Sequence, residues 1–140
     1  MTGPPQLGTD GDGPIEDQGS PLAMISAEMV RIYKEQFGRG PTKARASWAG
    51  RDTLIIVLED TLTPAERNLV TLGEYARLRE TRTLFQNAWV AQFCEPVERG
   101  TGRKVRAFIS GIDAQSDGTS AEVFVLHPEG YAGPSRATAA

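Results

Sequence analysis

Pro41-Thr-Lys-Ala-Arg-Ala-Ser-Trp-Ala-Gly-Arg-Asp-Thr-Leu-Ile-Ile-Val-Leu58 is the stretch that decides the fold. From Thr42 to Trp48 small or apolar residues alternate with polar ones. Ala44, Ala46 and Trp48 fall on one side and Lys43, Arg45 and Ser47 on the other, the pattern of a half-buried strand. Ala49-Gly50-Arg51-Asp52 supplies a turn. Thr53 to Leu58 is apolar without alternation, which predicts a strand buried on both faces. The two strands read as a hairpin.

Outward from it, the N-terminal flank is helical. Ser20-Pro21 gives an N-cap followed by proline at the first helical position. Leu22, Ile25, Met29, Ile32, Tyr33 and Phe37 then form one apolar stripe, ended by Gly38, Gly40 and Pro41. On the other flank, Thr63-Pro-Ala-Glu66 is a capping box that opens a short helix. Gly73 interrupts it. A long helix is predicted from about Glu74, with Leu78, Phe85, Trp89, Phe93 and Val97 inward and a kink or division at Pro96.

Gly100-Thr-Gly102 leads to an alternating strand from Lys104 to Ser110, and a last strand runs from Ala121 to Leu126. The order is α-β-β-α-α-β-β. Pro41-Thr-Lys-Ala-Arg-Ala46 and Gly102-Arg-Lys-Val-Arg-Ala107 match at Lys43/Lys104, Arg45/Arg106 and Ala46/Ala107. The fold expected is therefore α+β, with two α-β-β halves sharing a mainly antiparallel four-stranded sheet packed with helices.

The 140 residues suit one domain. The formal net charge of -3 is unevenly placed. Residues 1–20 hold Asp10, Asp12, Glu16 and Asp17 and no basic side chain, whereas residues 21–128 hold 14 basic and 13 acidic groups. Rich in Gly and Pro and poor in aliphatics, residues 1–20 read as a disordered acidic leader, and residues 129–140 as a disordered tail. Residues 21–128 are the folded domain. Cys94 is the only cysteine and His127 the only histidine, so the chain cannot form an internal disulfide or supply a Cys/His zinc site by itself. The longest strictly apolar run, Leu54 to Leu58, is far short of the ~20 residues a membrane span needs. A cytoplasmic protein without membrane insertion is expected.

The string Tyr33-Lys34-Glu35, then Gly38-Arg-Gly-Pro-Thr-Lys-Ala-Arg45, then Val57-Leu-Glu-Asp-Thr-Leu-Thr-Pro-Ala-Glu66, resembles the MpsC-like domain. Phe85-Gln86, Thr101-Gly-Arg-Lys-Val105 and Glu122-Val-Phe-Val-Leu126 continue the resemblance, which covers about residues 22–128. That family is named for a Na+-translocating membrane potential-generating system. The resemblance implies a small soluble component associated with membrane proteins of ion or inorganic-carbon uptake, and attaches no catalytic residue to these motifs.

Chemistry-bearing residues are few. The Gly38-Arg-Gly-Pro-Thr-Lys43 and Gly100-Thr-Gly-Arg-Lys104 loops leave helices and enter strands, the reverse of a phosphate loop, so nucleotide binding of that kind is rejected. Lys43, Arg45, Lys104 and Arg106 recur at matched positions and, with Arg39 and Arg103, form the candidate binding face for a small anion, a phosphorylated ligand or an acidic partner. The competing reading is a solvated sheet face with cross-strand ion pairs to Glu59 or Glu122. Arg77, Arg79 and Arg82 are placed on the outer face of the long helix. Glu59, Asp60 and Glu66 cluster before the capped helix, with Glu66 serving its cap. Cys94 reads as a core or boundary residue, and His127 lacks a nucleophile beside it.

No catalytic residue, metal ligand set or cofactor is assigned. The function expected is a non-enzymatic accessory or regulatory module that binds a protein partner, such as a membrane transporter subunit, or a small anion. A symmetric homodimer would cover the sheet edges. An RNA- or DNA-associated regulator using the Arg-rich surface stands second, and a small enzyme third.

Overall fold

The structure is a computed structural model and describes residues 20–138. The acidic leader lies outside the described residues except for Ser20. That serine accepts from Ala23 N–H at 3.0 Å and caps α1 (Pro21–Phe37). β1 (Lys43–Trp48) and β2 (Thr53–Glu59) form the hairpin, and α2 (Pro64–Thr71) starts at the capping box. α3 (Tyr75–Ala88), α4 (Val90–Thr101), β3 (Val105–Ile112), β4 (Ser120–Leu126) and a 3-10 turn (Arg136–Thr138) complete the order. The fold is α+β, as expected, with one more helix: α-β-β-α-α-α-β-β.

The four strands form one antiparallel sheet in the order β1-β2-β4-β3, so the two hairpins lie side by side with β2 and β4 in the middle. The core lies on one side of it. Ile25, Met29 and Ile32 of α1 and Val90, Phe93 and Val97 of α4 pack on Leu54, Ile56, Leu58, Phe124 and Leu126. α1 and α4 approach closely where Gly100 faces α1: a Cβ there would stand 2.9 Å from Met24 Cε and 3.0 Å from Ile25 Cδ1. A smaller cluster of Leu62, Leu78 and Ala114 joins α3 to the loops at one end of the sheet.

Three expectations change. The long helix divides at Trp89 (φ -114, ψ 24), not at Pro96, which lies buried inside α4. Proline has no N–H, so α4 forgoes one internal bond there. The break sits where Phe85 and Trp89 stack with centroids 5.0 Å apart and Phe37 meets both rings edge-on. Secondly, among the described residues, β2 is covered on one face only. Ile55 and Val57 made its apolar run continuous, but they point away from the helices. Thirdly, much of the tail is packed. Ser135 donates to Glu98, Lys104 Nζ donates to Gly133 O at 2.7 Å, and Ala137 rests against the core. One serine, one lysine and one alanine hold a segment whose composition gave no apolar stripe.

Inside the core lies a polar cluster. Arg82, expected on the outer surface, is 1 % exposed. Its guanidinium binds both Glu66 oxygens, at 2.6 and 2.8 Å, and the Thr61 carbonyl at 2.7 Å, while its Cζ lies 4.5 Å from the Phe37 ring centre. Thr61 in turn donates to Gly118 O at 2.6 Å. Gly118 has φ +82, and a Cβ there would come 2.5 Å from Leu62 Cγ, so this turn needs glycine. Nearby, Tyr33 donates to Glu122 Oε2 at 2.5 Å, and Glu122 is fully buried rather than facing solvent as an ion-pair partner.

The two buried carboxyls respond to pH in opposite senses. Burial would raise Glu66, but its bonds from Arg82 and Thr63 outweigh that and hold it below its ordinary 4.5. Its contribution to stability is therefore present above pH 4.5 and lost as pH falls through the folded value. Burial raises Glu122 above 4.5, opposed in part by Tyr33 and Arg82. The folded chain thus holds that proton more tightly than the unfolded chain, and stability declines as pH climbs from 4.5 toward the folded value.

Urea unfolding across pH 3–9 tests this. Glu122→Gln should flatten the decline above pH 4.5. Glu66→Gln should cost about 3–5 kcal/mol at pH 7, because it leaves the buried Arg82 charge uncompensated, and the cost should shrink as pH falls below 4.5 through the folded value.

Candidate interaction face

Because direct cross-strand partners share a face, the register assigns each side of the sheet. The helix side carries Ala44, Ala46, Leu54, Ile56, Leu58, Phe108, Phe124 and Leu126, with Glu122 among them. The other side carries four parallel rows. Lys43 and Glu59 form the first, and the β3–β4 turn, where Asp113 N–H donates to Thr119 O, continues it. Arg45, Val57, Ala121 and Gly111 form the second, and Ser47, Ile55, Val123 and Ile109 the third. Thr53, Val125 and Ala107 form the fourth.

No described helix covers this side. Its centre is apolar and β-branched: Ile109 is 58 % exposed and Val57 38 %, with Ile55, Val123 and Val125 half-buried by their neighbours on the sheet. None of these side chains belongs to either core cluster. β-branched residues suit a strand, but a solvated sheet face commonly carries polar residues at these positions. A contiguous apolar patch rimmed by charge is the kind of surface on which partners dock.

The six basic residues singled out from sequence do not form one face. β1 and β3 are the two edges of the sheet, so Lys43 and Arg45 lie three strands away from Lys104 and Arg106, about 14 Å at the usual strand spacing. The register also separates the matched pair. Arg45 stands opposite Val57 and Ala107 opposite Val125, while Arg106 falls in the irregularity between Val105 and Ala107. Arg39 does not answer its own helix end. It bonds the carbonyls of Asp60 and Leu62 at 2.7 and 2.8 Å and pairs with the Asp60 carboxylate, holding Asp60 at φ 59. Arg103 spans the His127 and Arg51 carbonyls and Asp52, stitching the β1–β2 turn to the end of β4. Lys104 holds the tail.

A shallow open groove of about 360 Å³ lies at that turn, lined by Pro21, Leu22, Trp48, Arg51, Gly100, Thr101, Arg103 and Glu129. Arg103 is the one member of the sequence-derived set that lines it. Trp48, read from sequence as inward, is 43 % exposed there because it extends past the end of the helix layer. Cys94 is fully buried, and burial pushes its thiol up to about 12, which makes it unreactive. The His127 ring stacks on Tyr131 with centroids 3.6 Å apart. Among the described residues no three His, Cys, Asp or Glu side chains are grouped to hold a metal ion, and no helix is long and apolar enough to cross a membrane.

A family model for the Na+-translocating membrane potential-generating system component MpsC matches residues 18–128. The chain belongs to the MpsC family. Comparisons with curated proteins and with solved structures found no match. The matched region of this MpsC-family chain ends at Pro128, so the helix layer and every strand of the open face lie within it.

The two sides of the sheet should differ in mutational cost. Phe124→Ala, between Phe108 and the helices, should cost about 3–5 kcal/mol in denaturant unfolding. Ile109→Thr, one strand over on the open side, should stay within about 0.5 kcal/mol at a protein concentration of a few micromolar or less.

Proposed function

We propose that this MpsC-family chain is an accessory module of the membrane system for which the family is named, and that it acts by protein contact through the open face of its sheet. The observation that carries this reading is the apolar side of the β1-β2-β4-β3 sheet, which no described helix covers, while α1 and α4 pack on the opposite side. A domain that needed this surface only for its own stability would place polar side chains at Ile55, Val57, Val123 and Ile109. The family name supplies the setting, a Na+-translocating membrane potential-generating system, and a transporter subunit or its regulator is the partner that setting favours.

The dispersed basic residues support contact over ion chemistry. Arg39, Arg82 and Arg103 are engaged in holding loops and helices together, and Arg77 pairs with Glu74. The nucleic-acid reading loses Arg82 from its surface, and small-anion binding at a convergent Lys43/Arg106 patch loses its geometry. Arg51 and Arg103 beside Trp48 in the shallow groove are what favours a small anion as the second reading.

Capture of partners from native cells, membrane fraction included, tests the proposal with the full chain as bait. A transporter subunit should be recovered with the parent and lost with Ile109→Lys, while Arg51→Ala leaves recovery unchanged. Recovery of RNA or ribosomal material instead, or equal recovery with Ile109→Lys, would overturn it.

A further inference from the structure

We infer that the open face closes on a second copy of this chain, stacking two four-stranded sheets into a sandwich about a twofold axis parallel to the strands. This rests on the reading that the open face is the working surface: its direct occupant is a second copy, and the dimer so formed is what a transporter subunit binds, so that losing the dimer loses capture. A twofold along the strands lays β1 of one protomer over β3 of its partner at the same height along the sheet. The two edges are complementary in that arrangement. Lys43 of the first row meets the turn that carries Asp113 and Asp117; Arg45 of the second row meets Gly111; Ser47 of the third meets Ile109. Positive charge is set against negative, the largest side chain against the absent one, and a small polar residue against a protruding apolar one.

Gly111 carries the shape argument. A Cβ at this position would meet nothing within 4 Å, and its backbone is not in the left-handed region, so neither the fold of the protomer nor the turn needs glycine there. A glycine weakens a strand, and an isolated one marks a bulge, a tight bend or close approach of another group; the β3 irregularity lies at Val105/Ala107, away from Gly111. In the sandwich that group is Arg45 of the partner. The alternative axis, across the strands, stacks β1 on β1 and gathers Lys43 and Arg45 of both copies on one edge, which charge disfavours. Packed sheets keep their strand directions within about 30° of each other, which preserves this row pairing to within a residue.

Four strands about 4.8 Å apart and six residues long give a flat area of roughly 400 Å² per protomer. Stable interfaces bury about 800 Å² per partner, so the apolar centre alone is insufficient, and side-chain relief and the charged rim must contribute. The dimer is therefore expected to weaken with salt.

Sedimentation equilibrium on the full chain, from about 1 to 100 μM and at low and high salt, tests the inference. The parent should sediment as a dimer at the upper concentrations. Gly111→Phe and Ile109→Lys should each weaken association at least about tenfold, with far-UV circular dichroism and melting of the protomer unchanged. Lys43→Asp should weaken it about fivefold at low salt, and the exchanged pair Lys43→Asp/Asp113→Lys should recover the parent affinity. A dimer indifferent to Gly111→Phe and Ile109→Lys would overturn the inference, as would a parent monomeric at 100 μM. In that second case partner capture separates the two readings. Capture still lost with Ile109→Lys leaves the face in use by a different protein, and capture unaffected removes the face altogether.

Discussion

One guanidinium organises the helix layer. Arg82 leaves α3 and reaches Glu66 at the start of α2, Thr61 in the loop after β2, and the rings of Tyr33 and Phe37 on α1. Through Thr61 it also fixes Gly118 in the β3–β4 turn. Removed from solvent, the charge is tolerable only with its bidentate carboxylate and carbonyl acceptors in place. That requirement sets where α2 and α3 can lie. The capping box does double duty, since Glu66 Oε1 accepts both from Thr63 N–H and from Arg82. Helix initiation and tertiary clamping therefore share one carboxylate.

This clamp, and the close contact of α1 with α4 at Gly100, hold the helices to a single side of the sheet. The consequence appears on the other side. β2 and β4 are central strands, and among the described residues no helix meets their outward side chains. Ile55, Val57, Val123, Val125 and Ile109 stand at outward positions and leave that side apolar. The edges are guarded differently: Lys43 and Arg45 line β1, and a register irregularity with Arg106 interrupts β3, both of which discourage edge pairing. The surface left most open to association is a face, not an edge.

Local chemistry in the sequence read well. The Ser20 and Thr63 caps, the Gly38 and Gly102 helix exits and the alternation around Ala44 and Ala46 each correspond to a real element. What failed needed the third dimension. An unbroken apolar run such as Leu54 to Leu58 looks the same whether one face or two are covered. Arg82 is two residues from Glu80 and looks like any member of an ion-paired helix surface, although Thr63-Pro-Ala-Glu66 upstream and the aromatic Phe37 were already waiting for it. Glu122 at the centre of Ala121-Glu-Val-Phe124 held a clue, since alternation puts it on the same side as Phe124. The matched Lys43/Lys104 and Arg45/Arg106 pairs misled because sequence offset and sheet register differ by one residue at the β3 irregularity.

The near-neutral charge of residues 21–128 takes on a different meaning once each group is placed. Arg82 is spent in the core, Arg39 and Arg103 on loop carbonyls, and Lys104 on the tail, so the apparent basic set does not survive as a surface. Long-range attraction of an anion depends on unscreened charges gathered within about a Debye length, ~8 Å in physiological salt, and the two sheet edges, with Lys43 and Arg45 on one and Arg106 on the other, are farther apart than that. Apolar contact has no such requirement, because it scales with area removed from water. The feature of this sheet that survives folding at the scale of an interface is its apolar side. In the proposed dimer, charge at its rim would orient the second copy, with Lys43 and Asp113 at opposite edges of the same row setting which way round it sits.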